Sequence, residues 1–568
     1  MIFLVINWII IFFISGVFGN FLINITINKN IYLNIDKGFI FILSQILGLL
    51  FISNILLVIS IIYPINYLFF LILILSSIFL YLFSKDLKLK FNYCFDLINQ
   101  IGRINLTLLI GLIGLYQSQT IFWGDSAIYH INSIKWINEY GMVFGIANLI
   151  KQLGFASSWF ALNASIQLDG KYSGLSYTVL GGYVLLLMVI HFLYCVKKIS
   201  VEKKRNILNS FYLFAYPLII ILIIRWGVGL SPSPDMLIHF MGLLAAGLII
   251  SDLEIKNKIN LIFLSAVLLV SIKLSSISLI FFSLYIIAKN LNYLCYRKIL
   301  LICLLIAPIL VCNFINSGYP LYPFKLIWLN VEWLVPQNDI TKVNNAVFNH
   351  AFYNNTNSDL IKPVNFQDIV QWALSRKEWL TSILIFLNLI CILFLIFKTS
   401  IKYINLIIFV LISFIIFVLN APTLRFGLNW LIIIPAITAV IVTERFDFYK
   451  IRYLYSYFIC SILIAFVLIV IHPVNPMQVM LQKKYPNESK LNFILPSKIV
   501  PFENVHDINN LVVDIRDLKF STFKIDQVII HSGNGYCWDI SPPCSENLDI
   551  SLINPEKGIN GGFKIQKK

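Results

Sequence analysis

Between Trp123 and Phe160 the chain gathers Asp125, Tyr129, His130, Lys135, Trp136, Glu139, Lys151 and Gln152 into the first long break between apolar runs. Such a set offers proton transfer: a carboxylate just outside the bilayer is placed to take a proton from a bound hydroxyl. Asp125 and Tyr129 are four apart and share a helical face, with His130 and Ser133 on the adjacent one. A structural reading competes. Gly124-Asp125-Ser126 also reads as a helix start, with Asp125 or Ser126 accepting from the free amides of the first turn. Both roles can hold at once. The helix they would open, 126–140, is amphipathic, with Ala127, Ile131 and Ile134 on one face. It is expected to lie along a membrane surface rather than cross it.

A second carboxylate, Asp235, follows Ser231-Pro-Ser-Pro at the head of an apolar run, where a cap is the ordinary reading. Paired with Asp125, it would supply either a base plus an orienting group or two ligands for a divalent cation. No other cofactor is implied, and no metal ligand set is assigned. Lys273 and Arg425 are isolated cations among apolar residues. Snorkelling explains each alone; together they would clamp a phosphate. Arg225, inside an apolar run, is costly in lipid and is expected to face protein or a polar cavity. There is no Gly-Lys-Ser/Thr phosphate loop, dinucleotide glycine fingerprint, HExxH or paired CxxC, which argues against a soluble nucleotide donor.

The elements that must position these residues are membrane helices. The 568 residues are 59% hydrophobic and 12% charged, with mean hydropathy +0.84, against about 25% charged in an average soluble domain. Apolar runs of membrane-crossing length predict about 14 spans, near 2–19, 39–61, 65–83, 104–122, 174–195, 208–229, 235–251, 259–272, 275–289, 298–315, 379–397, 402–420, 427–443 and 455–472. The pair across 259–289, with Lys273 in its middle, is the least regular. The net charge of +16 is no nucleic-acid signal, because it sorts into alternate loops, such as those holding Lys197, Lys198, Lys203, Lys204 and Arg205. Those loops are cytoplasmic by the positive-inside rule, which puts both termini and every unusual segment on the opposite side.

The expected organisation is N-terminal helices over 1–122, a candidate active-site loop over 123–173, a core over 174–472 with a long outer loop 316–378, and a small extracytoplasmic α/β domain over 473–568. In that domain Gln527-Val-Ile-Ile-His reads as a strand. Cys537 and Cys544 flank a proline turn on the oxidising side and are read as a disulfide, in preference to reduced thiols or a metal pair.

Several strings resemble an uncharacterised bacterial family of multi-spanning membrane proteins. They are Gly124-Asp125, Tyr129-His130, Lys135-Trp136-Ile137, Ala147-Asn148-Leu149 and Ser157-Ser158-Trp159-Phe160, then Ser231-Pro-Ser-Pro-Asp235, Gly318-Tyr-Pro-Leu-Tyr-Pro323, Arg425-Phe426-Gly427 and Cys537-Trp-Asp with Pro543-Cys544. More distantly the layout is similar to the GT-C glycosyltransferases, helical membrane enzymes that use polyprenyl-phosphate-linked sugars. That resemblance implies a GT-C-like helix arrangement. It maps the catalytic acid of the first large external loop onto Asp125 and a phosphate-contacting arginine onto Arg425. The chain departs by about three extra spans before the loop and by lacking a second acid beside Asp125, which leaves metal dependence open.

The expected protein is thus an all-α integral membrane glycosyltransferase of the bacterial inner membrane, acting at its outer face on a glycan, lipid or protein acceptor. Asp125 would be the base; Tyr129, His130, Asp235, Lys273 and Arg425 would bind substrate. The competing functions are a surface-polysaccharide polymerase and a non-catalytic carrier or scaffold for lipid-linked glycans.

Overall fold

The computed structural model describes residues 1–443 apart from 27–35, 85, 89–96, 120, 122, 169–173, 203–205, 291–295, 354–363, 376–378 and 398–400. Of the remainder it describes 494–496, 502–503, 513–514, 521–525, 528–532, 537, 542–545, 552–553 and 558–565. Every expected apolar run up to the one near 427–443 is a helix; the run at 455–472 lies outside the described residues. Helices are what hydrocarbon selects, since each satisfies its own backbone. Among the described residues, seven are long and apolar enough to cross a membrane: Ile2–Thr26, Lys37–Ser60, Val179–Val201, Ile207–Trp226, Trp379–Phe397, Tyr403–Asn420 and Leu424–Val442. Shorter apolar helices accompany them, among them Tyr67–Phe83 and Asp235–Ile250. The chain is an all-α, multi-pass membrane protein.

Helix Asp235–Ile250 is the centre of the bundle, with every residue buried. Around it pack Val179–Glu202, Ile207–Trp226, Ile255–Val270 and Leu424–Val442. Ile2–Thr26 and Lys37–Ser60 make the closest crossing. A methyl group on Gly19 or Gly48 would overlap the backbone carbonyl of Ser44 or Ser15, the small-residue contact that lets membrane helices approach. The helices Trp379–Phe397 and Ile401–Asn420 are peripheral and expose Phe386, Leu393, Ile415 and Leu419, as lipid contact requires.

The uncertain region 259–289 resolves into two helices, Ile255–Val270 and Ile277–Ala288, with Lys273 extended between them and a 3-10 turn at Leu274–Ser276. Arg225 differs from expectation. It sits exposed in the last turn before the left-handed Gly227, where a long side chain reaches the boundary without a protein cavity. Among the described residues, strands occur only in the tail, as short two- and three-stranded sheets between Phe502 and Ile565. The expected strand is Val528–Ser532, paired antiparallel with Ser521–Ile525.

Candidate functional site

Four segments distant in sequence meet at one end of the bundle. They are the start of the loop helix, the first residue of Asp235–Ile250, the extended link at Lys273, and the first turn of Leu424–Val442. Asp235 gives one oxygen to Lys273 Nζ at 2.6 Å and the other to Arg425 Nε at 2.6 Å. Arg425 turns Nη1 to Asp125 Oδ2 at 2.5 Å. The chain Lys273–Asp235–Arg425–Asp125 is one alternating ion cluster built from residues up to 300 positions apart.

Aromatic faces fix the cations. The Arg425 guanidinium lies 4.7 Å from the Trp123 ring and 5.1 Å from Phe426, and Lys273 Nζ lies 4.2 Å over Phe426. These are cation–π distances, and they leave the guanidinium edge for the carboxylates. Trp123 opens the loop and Phe426 stands in the Arg425-Phe426-Gly427 string, but neither aromatic was given a role in the sequence.

The carboxylates do not serve as helix caps. Asp125 makes no capping hydrogen bond. The Asp235 helix has Pro234 at its N-cap with no side-chain cap; just ahead of it Ser231 Oγ accepts from the Ser233 amide at 3.2 Å, and Ser233 Oγ accepts from the first helical amide, that of Asp235, at 3.3 Å. Both aspartates are therefore free to face the cations. Ser231 also pairs its hydroxyl with Ser126 at 2.7 Å and with His130 Nδ1 at 3.2 Å, joining the loop to the central helix.

The loop helix itself differs from the expected surface helix. Residues Ser126–His130 form a π-turn, followed by an α-helix Ile131–Glu139 whose residues through Ile137 are buried. Single π-turns inside helices recur at functional sites, where an extra residue re-aims side chains. The burial comes from two sides, helix Ser158–Ser165 and the tail. Cys537 N–H donates to the Ala127 carbonyl in the π-turn at 3.2 Å, Phe563 N–H to Phe144 at 2.8 Å, and Ser545 Oγ to Leu149 at 3.1 Å. Cys537 and Cys544 are disulfide-bonded and buried in that contact, with Trp136, Ile146 and Phe563.

Exposure ranks the cluster. The Asp235 side chain is 3% exposed, Arg425 17%, Lys273 28% and Asp125 34%, so Asp125 is the member a ligand meets first. Burial alone would raise the Asp125 carboxyl; the Arg425 guanidinium outweighs it and holds the group below the usual carboxylate range. Burial pushes the His130 imidazole down to about 3, so it is neutral, and the same burial, with Asp125 beside it, pushes the Tyr129 phenol up. Tyr129 and His130 pack edge to face, ring centres 4.3 Å apart, against Phe160. His130 Nε2 and Trp123 Nε1 are buried and find no partner among the described residues.

Both oxygens of Asp235 and Oδ2 of Asp125 lie on fixed cations, and a divalent ion there would sit beside Arg425 and Lys273. The pair does not fit one, and among the described residues no group of three His, Cys, Asp or Glu is arranged to hold a metal. A depression of about 310 Å³, open mouth included, lies under the loop helix between Ser133, Trp136, Phe155 and Asn316; none of the four charged residues lines it.

The chain belongs to the family described as "Domain of unknown function (DUF8201)", whose model matches residues 1–434 and so contains all four members of the ion cluster. No curated protein and no solved structure matches it.

Proposed function

We propose that the protein is a GT-C-like inverting glycosyltransferase acting at the outer face of a bacterial inner membrane, with a polyprenyl-phosphate-linked sugar as donor. In this reading about 14 helices cross the membrane, both termini lie outside, and the acceptor is a glycan, lipid or protein hydroxyl of the cell surface. The observation that carries it is the convergence of Asp125, Asp235, Lys273 and Arg425 on one partly open cluster.

The cluster suggests an order of events. A carboxylate held by a guanidinium is a weak base. A donor phosphate competes for the same N–H groups, and the more exposed Asp125 yields before the buried Asp235. Released from Arg425, Asp125 gains proton affinity and takes the proton of the acceptor hydroxyl. The acceptor oxygen then bonds to the anomeric carbon, and the carbon–oxygen bond to phosphate breaks, its electron pair leaving on the phosphate. Arg425 and Lys273 stabilise that charge, already oriented by Asp235 and by the aromatic faces. Attack opposite the leaving group inverts the anomeric centre.

One observation favours the non-catalytic carrier instead. The four charges neutralise one another, and structural ion networks also shift pKa values. A carrier would need Arg425 for the phosphate but not the basicity of Asp125. Transfer assays on membranes supplied with polyprenyl-phosphate hexoses separate the two. Asp125→Asn should lose transfer by about 10²–10⁴-fold while keeping donor binding; full transfer by this variant would remove the catalytic role.

A further inference from the structure

The long segment between Ser317 and Trp379 contains a feature outside the ion cluster and its chemistry. Helix Phe366–Leu374 starts at a capping box: Asn365 Oδ1 accepts from the Asp368 amide at 2.8 Å, and Asp368 Oδ2 accepts from the Asn365 amide at 3.0 Å. The helix is thus locally specified, yet none of its residues is buried.

Its apolar residues fall at 366, 369, 370, 373 and 374. At about 100° per residue they occupy one arc of about 140°. Gln367, Asp368, Gln371 and Trp372 fill the remainder. The two faces are treated differently. Trp372 stacks on Phe352, ring planes 2° apart, and so holds the polar face to helix Gln337–Tyr353. The apolar face is bare: Phe366 and Leu374 are each 78% exposed, Ile369 46% and Val370 38%.

What covers that face follows from where the helix is tied. Ser382 Oγ donates to the Ala373 carbonyl at 2.8 Å, which fixes the helix against the first turn of Trp379–Phe397. That span exposes Trp379, Ile383, Phe386 and Leu387. The bare face therefore lies beside the end of a lipid-facing span, at the depth where headgroups meet hydrocarbon and where the exposed Trp379 is favoured. The helix carries no Lys or Arg, so attraction to anionic headgroups contributes little, and area burial alone holds it.

We propose that helix Phe366–Leu374 is an interfacial helix, its Phe366–Ile369–Val370–Leu374 face sunk into the acyl chains of the leaflet at the ion-cluster end, and its Trp372 face turned to the protein. This assignment does not depend on the glycosyltransferase reading.

The test uses the full-length protein in nanodiscs of dioleoylphosphatidylcholine, with p-benzoylphenylalanine placed singly at Phe366, Val370 or Leu374 and, as controls, at Gln367 or Gln371. Photolysis from the first three positions should give covalent adducts with phosphatidylcholine, lost from the two controls. No lipid adduct from the apolar positions would show a helix standing in water, and equal labelling from both faces would show no protein-facing side; either result overturns the proposal. A covalent dimer from the apolar positions would also overturn it, by assigning the face to a second copy of the chain. Replacing part of the lipid with phosphatidylglycerol should leave the yields unchanged; a marked rise would contradict anchoring by apolar area.

Discussion

At the scale of single residues the two aspartates have different jobs, and stability separates them. Asp235 is 3% exposed and joins two cations. Removing its charge leaves Lys273 and Arg425 short of a buried partner, which costs about 3–5 kcal/mol. Asp235→Asn should therefore lower the melting temperature of the detergent-solubilised protein clearly. Asp125→Asn, at the open end, should lower it by less, since solvent screens the pair it loses. A second consequence concerns pH. His130 has its folded pKa pushed down to about 3, below the value of about 6.5 in an unfolded chain. As pH falls between those values the unfolded state gains a proton that the folded state refuses, so stability falls with acid. Asp125, also depressed, adds stability that is lost as pH falls through its folded value. Thermal melts from pH 7 to 5 should show a decline that is shallower in His130→Asn; an identical slope would mean His130 is already charged or solvated. The four ionic residues were legible because charged groups are rare in apolar sequence and stand out singly. Their pairing was not, since nothing local links position 125 to 425. Nor was the bond from the Asp235 amide to Ser233, because a serine and an aspartate compete for the same amides and only the fold decides.

At the scale of elements, periodicity located the helices well and misjudged the environment of one. The loop helix has an apolar stripe that suits a membrane surface, but the tail and helix Ser158–Ser165 cover it. An apolar face states that something covers it, and the sequence does not say what. The contact leaves two tight places. Gly145 (φ +67°) and Gly562 (φ +82°) hold left-handed backbone, and a Cβ on them would strike the carbonyls of Phe563 and Phe144. Gly562→Ala should cost on the order of 1–3 kcal/mol locally. Hydrogen exchange should then quicken at the Phe563 amide and at neighbouring loop amides. Unchanged protection would mean that the tail does not hold the loop.

At the scale of the whole molecule the family match covers residues 1–434, which carry the ion cluster, while the tail packs on the loop that bears Asp125. Charge sorting between loops predicts the sidedness. Tags at residues 200 and 560 should report opposite sides of the membrane, with 560 outside; two cytoplasmic reports would move the cluster to the inner face and remove the polyprenyl-phosphate donor from reach. The number of spans was less legible than their positions, because short helices such as Asp235–Ile250 are apolar yet wholly enclosed by protein.

In the glycosyltransferase we propose, Arg425 binds the donor phosphate and Asp125 performs the proton transfer this binding releases. The most direct measurement pairs donor binding with transfer in nanodiscs for two variants and wild type. Arg425→Gln should weaken polyprenyl-phosphate binding, whereas Asp125→Asn should bind the donor at least as tightly as wild type, its competitor for Arg425 having lost its charge, and transfer sugar about 10²–10⁴-fold more slowly. Wild-type transfer by Asp125→Asn, or undiminished donor binding by well-folded Arg425→Gln, would contradict the account.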